Sequence, residues 1–305
     1  MNKRKVGVAG LGFVGRQVAN WFLSRGWRQG RDLFLYDANQ DPCLKDDLQE
    51  AKIVFVCVPT PSRKDGRCDA SIVESVVAQF RNVGPWDKIV VIKSTVEPGT
   101  TNALEKKYNV AILFNPEFLT EARAEQDFVN PDRQIVGFTE RSQPYARMVL
   151  DLLPLAKFES PGADRSPIQI TAFEAELIKY FANMFGASKV SFANAMNIVA
   201  EATGADYNQI RQAVSADGRI GESWMDVNHG SYRGFGGYCF PKDSRALIAW
   251  INDLYEAKRA AGEDAELIKA ACNLLYASYY FNEILLGFQG LVWEDVSGHI
   301  KKGGQ

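Results

Sequence analysis

The feature that most limits what this chain can fold into is a glycine triplet set between a strand and a helix. Residues 5–9 form a short apolar run. Gly10-Leu11-Gly12-Phe13-Val14-Gly15 follows, and then an amphipathic stretch at 17–25. Glycines at these positions allow a tight turn, close approach of the backbone to a pyrophosphate, and close helix–strand contact. The start of the helix behind the turn presents unbonded N–H groups to an anion. Asp37 stands at the end of the next apolar run. A carboxylate there accepts hydrogen bonds from the adenosine ribose hydroxyls and repels a 2′-phosphate, which favours NAD over NADP. A plain glycine turn with a helix cap at Asp37 would contain the same residues. The order strand, turn, helix, strand, acid favours the dinucleotide.

Further β-branched runs at 33–37, 53–58, 89–92, 111–114 and 135–137 alternate with helical stretches such as 71–80. Near-continuous apolar strands separated by helices predict a parallel, doubly wound α/β sheet of the Rossmann kind. A turn-rich connector at 160–167 ends this pattern. Residues 168–203 contain no proline and a single glycine, Gly186. A helix of that length bridges domains or forms the core of a dimer. A short helix at 206–214, a glycine-rich loop at 215–238 and helices at 244–261 and 265–286 complete the reading. The expected organisation is a Rossmann-like domain over 1–165, an all-helical domain with a long central helix over 166–286, and a short tail over 287–305.

Composition removes several function classes. Lys and Arg total 35 against 37 Asp and Glu, a net charge of −2. A nucleic-acid binder would carry a basic excess. There are only two histidines, His229 and His299, so a His-rich metal site or a His-centred relay is not expected. The five cysteines are odd in number, scattered, and lack a C-x-x-C pair. That fits a reducing cytoplasm and no disulfide framework. No apolar run is long enough to span a membrane. Residues 1–15 mimic a signal peptide, but their glycines and the following Arg16-Gln17 mark them as mature structure.

In the second half, Gly234-Phe235-Gly236-Gly237-Tyr238-Cys239-Phe240-Pro241-Lys242-Asp243 carries the most chemistry. Cys239 precedes a helix opened by Pro241 and Asp243. A thiol near a helix N-terminus, with Lys242 adding positive potential, has more thiolate character. A buried inert cysteine is the ordinary alternative, and Cys43, Cys57, Cys68 and Cys272 keep it. Lys179 and Asn183 are four residues apart on one helix face and could hydrogen-bond a developing oxyanion, or form a solvated polar face. His229 reads as an exposed loop residue. Loops with reactive side chains follow three strands: Val58-Pro59-Thr60-Pro61, Ser94-Thr95-Val96-Glu97-Pro98-Gly99-Thr100 and Asn115-Pro116-Glu117-Phe118-Leu119-Thr120-Glu121. In doubly wound sheets these strand ends face the ligand.

Taken in order, these segments resemble the UDP-glucose/GDP-mannose dehydrogenases, nucleotide-sugar enzymes that oxidise a sugar C6 alcohol to an acid. Asp65-Gly66, Pro131-Asp132-Arg133, Ala175-Glu176-Leu177-Ile178-Lys179-Tyr180 and Asp217-Gly218-Arg219-Ile220 extend the likeness over roughly residues 5 to 286. The resemblance implies that Cys239 captures an aldehyde as a thiohemiacetal, which is oxidised to a thioester and hydrolysed. It implies that Lys179 and Asn183 stabilise the oxyanion, and that Asp243, Glu117 and Thr95 position waters and pass protons. Gly10, Gly12, Phe13, Val14, Gly15, Asp37, Val58, Thr60, Thr95, Glu121 and Lys242 would line the NAD site. Phe118, Leu119, Tyr232, Phe235 and Gly236 would contact the sugar, and the long helix would form a homodimer core.

There are departures. Ala122 follows Glu121 where the family usually has glycine, Ala195 follows Asn194 where glutamate is common, and Tyr238 precedes the cysteine where serine is common. The 226–233 loop is longer and more polar. The resemblance also implies a third α/β domain after the last long helix, and residues 287–305 are too few to form one. Two alternatives stay open. One is a two-electron hydroxyacid or alcohol dehydrogenase using Lys179 and Asn183. The other is an inactive NAD-binding dimeric module.

Overall fold

The structure is a computed structural model that describes residues 4–38, 41–81, 88–162 and 168–297. The expected domain boundary between 165 and 166, the end of the connector and residues 298–305 of the expected tail lie outside the described residues. The chain forms two compact units. One comprises Met1–Thr60 with Asp69–Lys179, the other Pro61–Cys68 with Tyr180–Gln305.

The first unit contains β1 (Val6–Ala9), α1 (Phe13–Ser24), β2 (Leu33–Tyr36), β3 (Ile53–Val56), α2 (Ser71–Ala78), β4 (Ile89–Ile92), α3 (Thr100–Tyr108), β5 (Ala111–Phe114), α4 (Ala124–Val129), β6 (Arg133–Ile135), β7 (Gly137–Phe138), α5 (Gln143–Leu150) and β8 (Phe158–Ser160). It also holds the first two turns of α6 (Ala172–Thr203). Six strands form one sheet in the order β2-β1-β3-β4-β5-β7. The first five are parallel and β7 runs antiparallel to β5.

Alternation along each strand feeds both faces of this sheet. Ile53 and Phe55 of β3 join Val18 and Phe22 of α1 and Val149 of α5 in one core. Val54 and Val56 join Val73 and Val77 of α2, Leu104 of α3 and Ala175 of α6 in the other. Strands covered on both sides need no polar face, which is why they read as unbroken apolar runs. Burial of each such side chain stabilises by about 1.5–3 kcal/mol.

The single strand expected at 135–137 is two. β6 pairs in parallel with β8 in a separate small sheet, and β7 closes the large one. The chain changes sheets where it meets the start of α6. A Cβ on Gly137 would lie 2.5 Å from Ala175 Cβ and 2.7 Å from the Thr171 carbonyl, so only glycine fits.

Glu176 on α6 replaces a missing cap. Helix α3 begins after Gly99, which has φ of +95° and no side chain to bond the free N–H groups. The Glu176 carboxylate accepts from Gly99 N at 2.5 Å, Thr101 N at 2.8 Å and Thr101 Oγ1 at 2.6 Å. Burial nevertheless dominates and raises its pKa from 4.5 to about 7.

The second unit contains the rest of α6, α7 (Tyr207–Ser215), the two-stranded β9 (Asn228–His229) and β10 (Tyr232–Arg233), α8 (Phe240–Ala260), α9 (Glu266–Gly287) and α10 (Trp293–Val296). The expected 215–238 loop therefore includes a small hairpin, turned at Gly230 with φ of +66°. Helix α8 begins at Phe240 rather than near 244, because Pro241 fits the first helical turn, where its missing N–H costs nothing. Gly186, the one glycine of α6, faces the ring of Phe240. A Cβ there would lie 2.6 Å from the ring edge. Among the described residues, no helix is long and apolar enough to cross a membrane.

Between pH 4.5 and about 7 the native state holds the Glu176 proton more tightly than the unfolded chain does. This contribution is complete below pH 4.5 and is lost as pH rises through about 7. Thermal unfolding of Glu176→Gln is expected to show a flatter fall of Tm between pH 5 and 8, set against a lower Tm throughout. An unchanged slope would remove Glu176 as the titrating group.

Candidate active site

The glycine turn lies at the carboxyl end of β1, where the strand order reverses and a doubly wound sheet opens a crevice. Each glycine is required for its own reason. Gly10 has φ of +85°, and a Cβ on it would lie 2.7 Å from the Cys57 carbonyl. A Cβ on Gly15 would lie 1.8 Å from the Gly10 carbonyl, so helix and turn touch through backbone alone. A Cβ on Gly12 would meet nothing within 4 Å, which leaves a path for a ligand. Gly12 is also the N-cap of α1, with no side-chain cap and no acid in the first turn. These are the features that a pyrophosphate needs.

Asp37 reaches this turn, its Oδ2 accepting from Leu11 N at 2.6 Å. Val58 packs beside Gly10, and Ser94 Oγ donates to the Val58 carbonyl at 2.7 Å, fastening the loop after β3 to the loop after β4. Thr60 is buried, Val14 and Thr95 are half-buried, and Phe13 is exposed. Glu121 lies exposed in a short 3-10 turn.

The loop after β5 holds a second cluster of the same unit. Lys179 Nζ donates to Glu117 Oε1 and to the Glu117 carbonyl, both at 2.7 Å. The two side chains are 3% and 9% exposed. Glu117 Oε2 accepts from Leu119 N at 2.8 Å, which curls the loop. The Phe118 ring lies 3.8 Å from the Arg133 guanidinium and 5.7 Å from Lys179 Nζ.

Lys93, which the sequence reading passed over, belongs here too. Its Nζ donates to Asn115 Oδ1 at 2.6 Å, and Asn115 Nδ2 in turn donates to the Ile135 carbonyl at 2.6 Å. Burial lowers the Lys93 pKa to about 8, against the pull of Cys57 and Glu117. Burial also pushes the Cys57 thiol up to about 12, so that thiol stays protonated. The signal for Lys93 was a lysine at the carboxyl end of β4, directly before Ser94-Thr95.

In the second unit Cys239 is the N-cap residue of α8 and is half-buried. Lys242 and Asp243 are buried in the first turn. Lys242 Nζ donates to Asp243 Oδ1 at 2.5 Å, and Asn183 Nδ2 donates to Asp243 Oδ2 at 2.6 Å. Burial disfavours the Lys242 cation. Asp243, Cys68 and Cys239 outweigh it, and the pKa lies above the ordinary lysine value. Lys179 and Asn183 therefore each hold an acid of their own, Glu117 and Asp243. Phe235 is 1% exposed, its ring packed in the core with Ala187, Ile248 and Tyr279. Gly236 is buried, Tyr232 half-buried and Tyr238 exposed beside Cys239. Among the described residues, no group of three or more His, Cys, Asp or Glu could hold a metal ion.

The geometry defines a dinucleotide-binding α/β unit followed by a helical unit that presents a thiol at a helix start. Residues 35–151 match the NAD binding domain of the UDP-glucose/GDP-mannose dehydrogenase family, and residues 173–274 match its central domain. The chain is 35% identical over 238 residues to the UDP-glucose 6-dehydrogenase of Pseudomonas aeruginosa, covering 74% of this chain and 49% of that protein. It is 38% identical over 213 residues to UDP-glucose 6-dehydrogenase 2 of Arabidopsis thaliana, covering 66% of this chain and 43% of that protein. A solved UDP-glucose dehydrogenase from Pyrobaculum islandicum superposes with a TM-score of 0.69 at 29% identity, covering 92% of this chain and 68% of that one. The chain belongs to the UDP-glucose/GDP-mannose dehydrogenase family. It spans about half the length of the curated relatives it matches.

Calorimetric titration with NAD tests the turn. Gly12→Ala is expected to keep its melting temperature and to lose about tenfold in NAD affinity, because the methyl enters the pyrophosphate path. Gly15→Ala is expected to lose about 1–3 kcal/mol of stability from overpacking as well. Wild-type NAD affinity in Gly12→Ala would place the pyrophosphate elsewhere.

Proposed function

We propose that the chain catalyses NAD-dependent oxidation of a primary alcohol, C6 of a nucleotide-sugar, to a carboxylate through a thioester on Cys239. The observation that carries this reading is the cluster at the start of α8. A half-buried thiol occupies the N-cap, and Lys242, Asp243 and Asn183 are bonded in series in the same unit. Loss of this chemistry would remove the need for such a buried polar set. In this proposal a Rossmann domain over 1–165 holds the cofactor and a helical domain over 166–286 carries the catalytic thiol. A reducing compartment such as the cytoplasm suits a thiol catalyst.

Gly10, Gly12, Phe13, Val14, Gly15, Asp37, Val58, Thr60, Thr95, Glu121 and Lys242 would hold NAD, which when bound supplies the hydride acceptor for each oxidation. Asp243, Glu117 and Thr95 hold waters that take the alcohol proton. The Cys239 thiolate adds to the resulting aldehyde, and the thiohemiacetal oxygen is stabilised by Lys179 and Asn183. After the second oxidation a water held by Glu117 adds to the thioester carbonyl, and the thiolate leaves with the acid free. Covalent capture keeps the aldehyde from escaping. Phe118, Leu119, Tyr232 and the backbone around Phe235 and Gly236 contact the sugar end.

Helix α6 also carries an exposed apolar stripe of Phe181, Phe185, Phe192, Met196 and Val199, with Phe185 65% exposed. Its helical spacing fits a self-complementary seam, and we assign it to a homodimer.

A panel of nucleotide-sugars is expected to yield two NADH per acid formed. Cys239→Ala is expected to drop acid formation to below about a hundredth of wild type. One NADH per substrate with Cys239 dispensable would select a two-electron dehydrogenase that relies on Lys179 and Asn183. Bound NAD with no turnover would leave a binding module. In sedimentation velocity, Phe185→Asp is expected to convert a dimer to a monomer, and an unaltered dimer would put the seam elsewhere.

A further inference from the structure

The glycine loop leading to Cys239 is gripped at alternate residues by a part of the chain that lies far along the sequence. Arg233 N donates to Gln289 Oε1 at 2.8 Å, and Gln289 Nε2 donates back to the Arg233 carbonyl at 3.0 Å. Two residues on, Phe235 N donates to Asn282 Oδ1 at 2.8 Å, and Asn282 Nδ2 donates back to the Phe235 carbonyl at 3.0 Å. Two residues further, Gly237 N donates to the Val296 carbonyl at 2.8 Å. Asn282 lies on α9, Gln289 just past its end and Val296 on α10.

Each carboxamide turns a donor and an acceptor toward the loop, as a peptide unit of a neighbouring strand would, and Gln289 Nε2 also donates to the Leu285 carbonyl at 2.8 Å. Two side chains and one carbonyl thus act on residues 233–237 as a strand partner would, in addition to the pairing of β10 with β9. The fit leaves no slack. A Cβ on Gly234 would lie 2.4 Å from Asn282 Oδ1, and one on Gly236 would lie 2.0 Å from Tyr232 Oη and 2.8 Å from the Val296 carbonyl. Asn282 is 3% exposed, so its amide is worth most where water cannot replace it.

We infer that Asn282 and Gln289 are positioning residues for the sugar end of the substrate. They fix the backbone of residues 233–237 and, two residues on, the height of the Cys239 thiol. This rests on the reading of Cys239 and its glycine loop as the substrate site. It extends that site to the end of α9, which carries none of the reacting groups.

The test uses the full chain with UDP-glucose and GDP-mannose as probes. In Gln289→Ala, whose side chain is exposed and whose loss threatens the fold least, the KM for the better probe is expected to rise about fivefold, with the KM for NAD within about twofold of wild type. Gln289→Glu keeps the acceptor and loses the donor, and is expected to fall between the two. Asn282→Ala is expected to show a larger rise in the same KM. Equal shifts in both KM values, or none, would overturn the inference and leave a purely structural contact. If the wild type oxidises neither probe, the functional reading fails on its own and the loop is read from Cys239 alkylation by iodoacetamide. That rate is expected to change at least about threefold in Gln289→Ala, and an identical rate would overturn the inference.

Discussion

A charge that is buried must have a partner, and helix α6 is where this chain meets that demand repeatedly. Within eight residues it presents Glu176 to the start of α3, Lys179 to Glu117 and Asn183 to Asp243. Removing one member of the Lys179–Glu117 pair would strand the other in a nearly dry setting, at a cost of about 3–5 kcal/mol. The loop after β5 and the cap of α3 in the first unit, and the first turn of α8 in the second, are each held by bonds of this helix within their own unit. That helps explain a helix of 32 residues whose only glycine is the one that Phe240 demands.

The same bonds bear on chemistry. Lys179 and Asn183, the proposed oxyanion donors, are already engaged by carboxylates. A neutral alcohol competes poorly for such donors, whereas a developing negative charge competes well. In the proposed reaction, donors held this way would favour the charged intermediate over the ground state, which is the condition for acceleration rather than tight binding. Lys93, bonded to Asn115, adds a further buried cation in the field of Glu117.

Much of the fold was legible because its signals are local. The glycine turn, the apolar strands and the extent of α6 follow from period and from residues a few positions apart. The division of 135–137 into two strands was not legible, since it depends on Ala175 and Thr171 crowding Gly137 from another element. The start of α8 lies a few residues before the expected 244, because Pro241 sits inside its first turn. In the site, Cys239, Lys179 and Asn183 could be picked out as residue types. The acid partners of Lys179 and Asn183 could not be assigned, because Glu117 and Asp243 lie about sixty residues away from them in sequence. Nothing in Asn282 or Gln289 marks them before their bonds to Phe235 and Arg233 are seen.

The hydrogen bond that Leu11 N donates to Asp37 has a bearing on how such a chain could change coenzyme. The residue expected to discriminate against a phosphorylated ribose is also a strut of the turn. Gly10 and Gly15 are fixed by backbone contacts and offer no room for adjustment. A lineage that exchanged Asp37 for a residue tolerant of the extra phosphate would loosen the turn in the same step. Drift in coenzyme preference would then need a second, compensating substitution near Leu11, and single-step variants along that route would be selected against before any benefit appeared.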